Sequence, residues 1–396
     1  MPLPHLQTAP SRPHRSSPPL VLVGASTRAA AWSAIRAGWR PLCADLFADQ
    51  DLLDVATAIA VEEYPTGLID AVSTLTANLP NETCPRIYTG AMENHPDVLN
   101  SLATGGPLLG NSTDVLKLIR DPHWVARVCQ AASLSCPEVR NGHDIPEANG
   151  QWMLRRLDSA GGPGVSEWKA STGSPGRNVV FQRRIPGLAA SAVCLGNGSS
   201  ASVLGITEQL VGEPWLHAPR WSWCGSIGPL ALPASLNEQV AQLADVLASA
   251  SGLVGLFGID LVLDNKSAWP IEINPRYTGS AEVIEMASGR SMIGRHLEAF
   301  GEPPVAPLDA VAPLGDQTTA TIQGKAVLYA PRATLVSGLP EGGTSWRLAD
   351  VPQPGHLVDQ GRPVCTILAT ATSLEGCRNV LERASENVYQ KLAGIE

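Results

Sequence analysis

Phe257, Ile259, Leu261 and Leu263 recur at every second position, and Asp260 and Val262 fall between them. That period of two predicts a strand with one apolar face. A few residues on, Ile271 and Ile273 point one way while Glu272 and Asn274 point the other, which predicts a second strand. Asp264-Asn265-Lys266-Ser267 supplies turn residues between the two. A hairpin centred near Lys266 sets Asp260 directly opposite Glu272. Facing cross-strand residues have Cβ atoms only ~5 Å apart. Two carboxylates that close repel, so the pair makes sense with a cation between them. Oxygen donors without His or Cys favour Mg²⁺ or Mn²⁺ over zinc. A solvated strand face that happens to carry two acids is the competing reading.

The same patterning organises the rest of the chain. Pro19 to Ser26 reads as a buried strand entering a turn, Ala29 to Ala37 as a helix ended near Gly38, and Arg40 to Asp45 as a second strand. This is a β-α-β opening of Rossmann type, without the GxGxxG fingerprint. Arg86–Gly90 and Pro107–Gly110 are later short strands of that unit. Ser112 and Thr113 are cap candidates for a helix from Asp114 to Arg120, and a second helix fits His123 to Ser133. Gln151–Arg156 and Asn178–Gln182 are strands flanking the Gly-rich turn Ser159–Val165. Leu236 to Ser251 is a helix. Ser280 is placed to cap a helix through Ala287. Pro- and Ala-rich residues near 302–317 read as a linker. Strands near Lys325–Tyr329 and Val364–Leu368 follow, and a helix from Leu374 to Leu392 closes the chain.

Composition narrows the class. The 396 residues include 44% hydrophobic and 16% charged positions, enough for a sizeable core and several domains. A formal charge of −9 argues against an overall basic nucleic-acid binder, and no nucleic-acid partner is expected. No apolar run approaches the ~20 residues that span a bilayer. The eight cysteines form no CxxC pair, which predicts free thiols and a cytoplasmic protein.

Candidate chemistry clusters around the hairpin. Arg155 and Arg156 end a strand that runs into Ser159, Gly161 and Gly162, and glycines let backbone amides approach phosphate oxygens. It is not a Walker A loop. Gln182 and the backbone near Ile185 end the next strand, where a purine could be read. Arg276 follows the carboxylate face, then Thr278 and Ser280 open a helix whose N-terminus attracts anions. A surface salt bridge from Arg276 to Glu282 or Glu285 is the alternative. Trp215, Trp221 and Trp223 form either a packed cluster or a substrate wall. Glu208 is a pocket candidate and His217 a weaker one.

In this order the features resemble the ATP-grasp superfamily, from roughly Gly24 to Leu297. "WMLRRLDSAGGPGV" resembles its cation-bearing strand and phosphate loop, "FQRRIPG" its adenine-reading strand, and "GIDLVL…WPIEINPRYTGSAEVIE" its metal-binding end. The resemblance implies an α/β ATP-grasp fold with a Rossmann-like N-terminal domain and a small C-terminal β-rich subdomain. The expected divisions are a tail over 1–19, the Rossmann-like domain over 20–111, two ATP-grasp lobes over 112–300, a linker over 301–317 and the C-terminal subdomain over 318–396.

By the same resemblance, Asp260, Glu272 and Asn274 hold Mg²⁺ on ATP, and Arg155, Ser159, Gly161, Gly162, Gln182 and Ile185 hold the nucleotide. Arg276 is the catalytic residue, with Thr278, Ser280 and Glu208 on the substrates. The family usually carries Lys where Arg155 stands and an acid where Arg183 stands. The implied activity joins a carboxylate, activated as an acyl phosphate, to an amine. A narrower resemblance is to members that attach glutamate to an amine in one-carbon cofactor assembly of methanofuran or tetrahydromethanopterin type. A bicarbonate-using carboxylase and a degenerate nucleotide-binding protein are the alternatives. A homodimer is expected, with no membrane partner.

Overall fold

The computed structural model describes residues 8–79, 84–159, 161–162, 164–170, 175–176, 178–303, 305 and 321–394. The expected linker lies for the most part outside them, as do Ala160 and Pro163 of the Gly-rich turn.

The first unit is the expected alternation. β1 (Pro19–Gly24), α1 (Arg28–Arg36), β2 (Arg40–Asp45), α2 (Gln50–Leu53), β3 (Thr57–Ala60), α3 (Gly67–Thr76), β4 (Arg86–Tyr88) and α4 (Pro96–Thr104) follow one another. Their strands form a parallel sheet in the order β3-β2-β1-β4. Leu20 to Val23 are fully buried, as a strand covered on both faces requires. Pro107–Gly110 contributes only a single parallel bridge, Arg86 to Leu108.

Two helices, α5 (Thr113–Arg120) and α6 (Pro122–Ala131), lead into a small antiparallel lobe. Ser112 caps α5 by accepting from the Val115 N–H, while Thr113 is its first residue. The lobe comprises β5 (Val139–Asn141), β6 (Trp152–Arg156), β7 (Val165–Glu167) and β8 (Val179–Arg183), in the order β5-β8-β6-β7.

The large lobe is built on an eight-stranded sheet. Its first half holds β9 (Leu188–Asn197), β10 (Ala201–Val211), β11 (Trp223–Gly228), α7 (Ala234–Ser251), β12 (Val254–Leu263), β13 (Ala268–Asn274), α8 (Gly279–Ser288) and α9 (Met292–Ala299). The C-terminal segment adds β14 (Ile322–Tyr329), β15 (Thr334–Val336), β16 (Trp346–Ala349), β17 (His356–Val358), β18 (Pro363–Ala371) and α10 (Leu374–Ala393). The order β13-β12-β9-β10-β11-β14-β18-β16 shows β14, β18 and β16 continuing the sheet, while β15 and β17 pair separately.

Phe257, Ile259, Leu261 and Leu263 pack with α7 residues Val240, Leu243 and Leu247, so the apolar face of β12 is buried as its alternation requires. The opposite face is the floor of the cleft. A buried ion network closes the far side. Arg28 of α1 pairs with Glu282 of α8 and donates to Asp350, and Lys325 of β14 meets Glu282 at 2.7 Å. The N-terminal unit, the large lobe and the C-terminal segment are thereby joined through one carboxylate.

Candidate active site

The hairpin sets Asp260 opposite Glu272, Ile259 opposite Ile273 and Gly258 opposite Asn274. Its turn closes on Asp264, which accepts from the N–H groups of Lys266 and Ser267 at 2.7 and 2.8 Å. One detail departs from simple alternation. The register shifts after Asp260, so Leu261 faces Pro270 and Ile271 is an extra residue. Ile271 therefore lines the cleft beside Glu272 and does not share the core face of Ile273.

Asp260 is partly buried and held on two sides. Gln209 donates to one oxygen at 2.8 Å and Asn274 to the other at 3.0 Å. Burial, then the charge of Glu272, pushes its carboxyl up to about 6. Glu272 lies 3.5 Å from Arg155 and 3.7 Å from Arg120. Arg276 donates to both oxygens of Glu93, to the Asn274 side-chain oxygen at 3.0 Å and to the Tyr277 carbonyl. It makes no bridge to Glu282 or Glu285, which pair with Arg28 and Lys325 and with Arg36.

Among the described residues no group of three His, Cys, Asp or Glu side chains is placed to hold a metal ion. The set consists instead of two facing carboxylates and one amide. These hard oxygen donors fit Mg²⁺ or Mn²⁺, and a bound cation would offset the burial and the Glu272 charge that raise the Asp260 carboxyl.

Above the hairpin lies a cavity of about 1420 Å³. At one end it is lined by Arg155, Gly161, Gly162, Gln182 and Ile185. Gln182 is buried, and its carbonyl accepts from Arg155 at 3.0 Å, which leaves its amide N–H groups as donors. Arg155 also donates to the Ile271 carbonyl. Gly162 packs so tightly against the Trp221 carbonyl and the Ser222 backbone that a Cβ would collide with both. Ser159 stands at the root of the loop, outside the cavity lining, and its carbonyl accepts from Arg120.

At the other end Arg276, Thr278, Gly279 and Ser280 line the cavity. Helix α8 begins at Gly279 with Thr278 as its N-cap, so Ser280 is the second helical residue and not the cap expected from its type. The Ser280 hydroxyl is spent on Thr207 and Ser226, at 3.1 and 3.0 Å. The Thr278 hydroxyl is buried with no partner among the described residues. A buried donor without a partner is costly, and this one belongs to the N-cap residue of α8.

Glu208 does not reach this cavity. Gln209 points into the cleft, so strand alternation turns Glu208 to the opposite face, where Arg378 of α10 meets it at 2.6 Å. His217 packs edge-on against Tyr389. The tryptophans divide: Trp221 and Trp223 line the cavity, while Trp215 packs in the C-terminal core.

Three participants escape sequence reasoning. Gln209 was legible as the alternate of Glu208 on the same strand. Arg120 carried only a helix-end signal, yet it donates to the Leu157 and Ser159 carbonyls and faces Glu93 and Glu272. Glu93, far off in sequence, carried none.

Residues 123–280 match the ATP-grasp domain family. The formate-dependent phosphoribosylglycinamide formyltransferase of Pseudomonas aeruginosa is 28% identical over 191 residues, covering 44% of this chain and 47% of that protein. The chain spans only between 19% and 47% of the length of such curated relatives. The biotin carboxylase–βγ-ATP complex from Campylobacter jejuni superimposes with a TM-score of 0.69 at 14% identity, covering 93% of this chain and 91% of that one. The L-amino acid ligase from Bacillus licheniformis gives 0.68 at 13%, covering 93% and 97%. No helix among the described residues is long and apolar enough to cross a membrane. The chain thus has the ATP-grasp fold, and its residues 123–280 match the ATP-grasp domain.

Proposed function

We propose that this protein is an ATP- and Mg²⁺-dependent ligase that activates a carboxylate as an acyl phosphate and joins it to an amine. The observation that carries the reading is the continuity of the cleft. The Asp260–Glu272 pair and Arg276 lead directly to the unpartnered Thr278 hydroxyl and the start of α8. Gly279 and Ser280 are the first two residues of α8, whose N–H groups have no carbonyl within the helix to bond. An anion is drawn to that spot by dipole, amides and hydroxyl together.

In this reading ATP lies along Gly161–Gly162, with its base against Gln182 and Ile185. Mg²⁺ held by Asp260, Glu272 and Asn274 would draw charge from the phosphate oxygens. Thr278 and the α8 amides orient the substrate carboxylate, and Arg276, anchored by Glu93, stabilises charge as the γ-phosphoryl group moves to it. The bond to ADP breaks as the acyl phosphate forms. The amine nitrogen then attacks the carbonyl and loses a proton, and inorganic phosphate leaves.

The relatives agree in kind, since one is a formate-dependent transferase and one structural neighbour is an L-amino acid ligase. Glutamate as the carboxylate, in one-carbon cofactor assembly of methanofuran or tetrahydromethanopterin type, is the narrower form of the proposal and rests on sequence resemblance. The likeness to a biotin carboxylase domain solved with MgADP and bicarbonate supports bicarbonate as a second reading.

The test is ADP release with Mg²⁺ across a panel of carboxylates, with hydroxylamine present to trap acyl phosphate as a hydroxamate. Carboxylate-dependent hydroxamate supports the ligase. Bicarbonate-dependent ADP release without an amine moves the assignment to the carboxylase. ATP binding with no turnover on any carboxylate leaves a nucleotide-binding protein.

A further inference from the structure

Among the described residues, three arginines near the nucleotide end of the cleft are already engaged. Arg155, which stands where the family's phosphate-binding Lys is expected, is committed to Gln182, to the Ile271 carbonyl and to Glu272. Withdrawing it would strip buried acceptors of their donor, which is costly. Arg156 is paired with Asp158 in an exposed bridge and does not line the cavity. Arg120 is held by two loop carbonyls and faces two acids.

Arg184 and Arg220 differ from all three. Both line the cavity, and their guanidinium carbons lie 5.5 and 5.0 Å from the ring of Trp221. Arg220 has one ion pair among the described residues, to Glu167 at 3.4 Å, and its side chain is 68% exposed. Exposed pairs of that kind contribute little, so exchanging Glu167 for a phosphate costs little.

The stack is also attached to the phosphate loop. Trp221 sits in the left-handed region at φ 69°, with its carbonyl packed on Gly162. The Trp223 N–H donates to the Gly161 carbonyl at 3.3 Å. A residue beside Trp221 is therefore carried by the same backbone that cradles the phosphates.

We propose that Arg220, stacked on Trp221, is a nucleotide-binding residue that moves from Glu167 to the triphosphate when ATP enters, supplying the mobile cation that Arg155 does not. The flat guanidinium both stacks on the indole and forks onto phosphate oxygens, which a Lys ammonium does less well. Glu167 then acts as a competitor for Arg220.

The proposal rests on the nucleotide reading above, so Mg-ATP binding to the unaltered protein is measured first by calorimetry. Absence of binding there overturns the nucleotide reading, and this inference with it. Given binding, Arg220→Gln is expected to weaken ATP about ten-fold. Its thermal midpoint should stay unchanged, because the side chain is exposed. Arg220→Lys should recover only part of the loss. Glu167→Gln should tighten ATP binding while Arg220 is present and do nothing in the Arg220→Gln background. Wild-type affinity in Arg220→Gln overturns the proposal. So does an effect of Glu167→Gln that is the same with and without Arg220.

Discussion

Glu93 accepts from Arg276 through both carboxylate oxygens, at 2.9 and 3.1 Å, although the two residues are 183 positions apart. Glu93 is buried and belongs to the N-terminal unit, whereas Arg276 sits between the carboxylate pair and helix α8. The N-terminal unit thus aims the guanidinium that the proposed chemistry needs. Glu93→Gln keeps the shape and removes the charge. Turnover is expected to fall about 100-fold from misplacement of Arg276, with KM for ATP nearly unchanged. The variant should also lose about 3 kcal/mol of stability, because a buried cation is left without its acid. Steady-state kinetics and a urea midpoint check both parts. Unaltered turnover would separate Arg276 from the chemistry.

Metal affinity should depend on pH through Asp260. Its carboxyl is raised to about 6 by burial and by Glu272, above the usual carboxylate range. A metal must displace that proton, so Mg²⁺ affinity should be flat above about pH 7 and weaken as pH falls below about 6. The sign for the metal-free fold is opposite. A raised carboxyl favours the folded state while protonated, and that advantage is lost as pH rises from the usual range through about 6. Mn²⁺ titrations between about pH 5 and 8 read the first effect. Asp260→Asn should flatten the profile, and a profile that keeps its step in that variant assigns it to another group.

The Arg28–Glu282–Lys325 network gives a stability prediction of opposite slope. Burial pushes the Glu282 carboxyl up, but Arg28 and Lys325 outweigh it and hold the group down to about 2. A depressed carboxyl stabilises the fold above its usual pKa, and that contribution is lost as pH falls from about 4.5 toward 2. Glu282→Ala takes the acid from Lys325 and leaves Arg28 with Asp350 and Asp51 alone, and should cost about 3 kcal/mol at neutral pH. Chemical denaturation at several pH values tests this: the wild-type advantage over the variant should shrink in acid. A gap that is constant with pH would mean that packing, not charge, accounts for the loss.

These relationships also mark what local sequence carries. The hairpin was legible because alternation and an Asp-Asn-Lys-Ser turn fix its register, which set Asp260 against Glu272. The bulge at Ile271 was not, since Ile271 and Ile273 read as an unbroken alternation, whereas the inserted residue shifts the buried phase between Pro270 and Ile273. Ser280 has a capping residue's chemistry, yet Thr278 occupies the cap and the Ser280 hydroxyl bonds to Thr207 and Ser226 on neighbouring strands. Arg276 with Glu93, and Arg28 with Glu282, depend on how distant units dock. No spacing or propensity within either segment encodes such a meeting.

Glu208 and Gln209 give the sharpest contrast between sequence expectation and structure. By type, the acid is the better candidate for a pocket. By strand phase, the cleft belongs to Gln209, which donates to Asp260 at 2.8 Å, while Glu208 faces Arg378 on the other side of the sheet. Glu208→Ala should therefore leave turnover and both substrate KM values nearly unchanged. It should cost no more than about 1 kcal/mol, since the pair is partly exposed and Arg378 keeps Glu213 at 3.1 Å. Gln209→Ala removes a donor from the Asp260 carboxylate and opens the cleft wall. Mg²⁺ affinity and turnover should both fall, by about ten-fold, with a smaller change in the urea midpoint. Parallel kinetics and Mn²⁺ titration of the two variants decide the matter. If Glu208→Ala is the one that loses activity, the orientation of β10 described above is wrong.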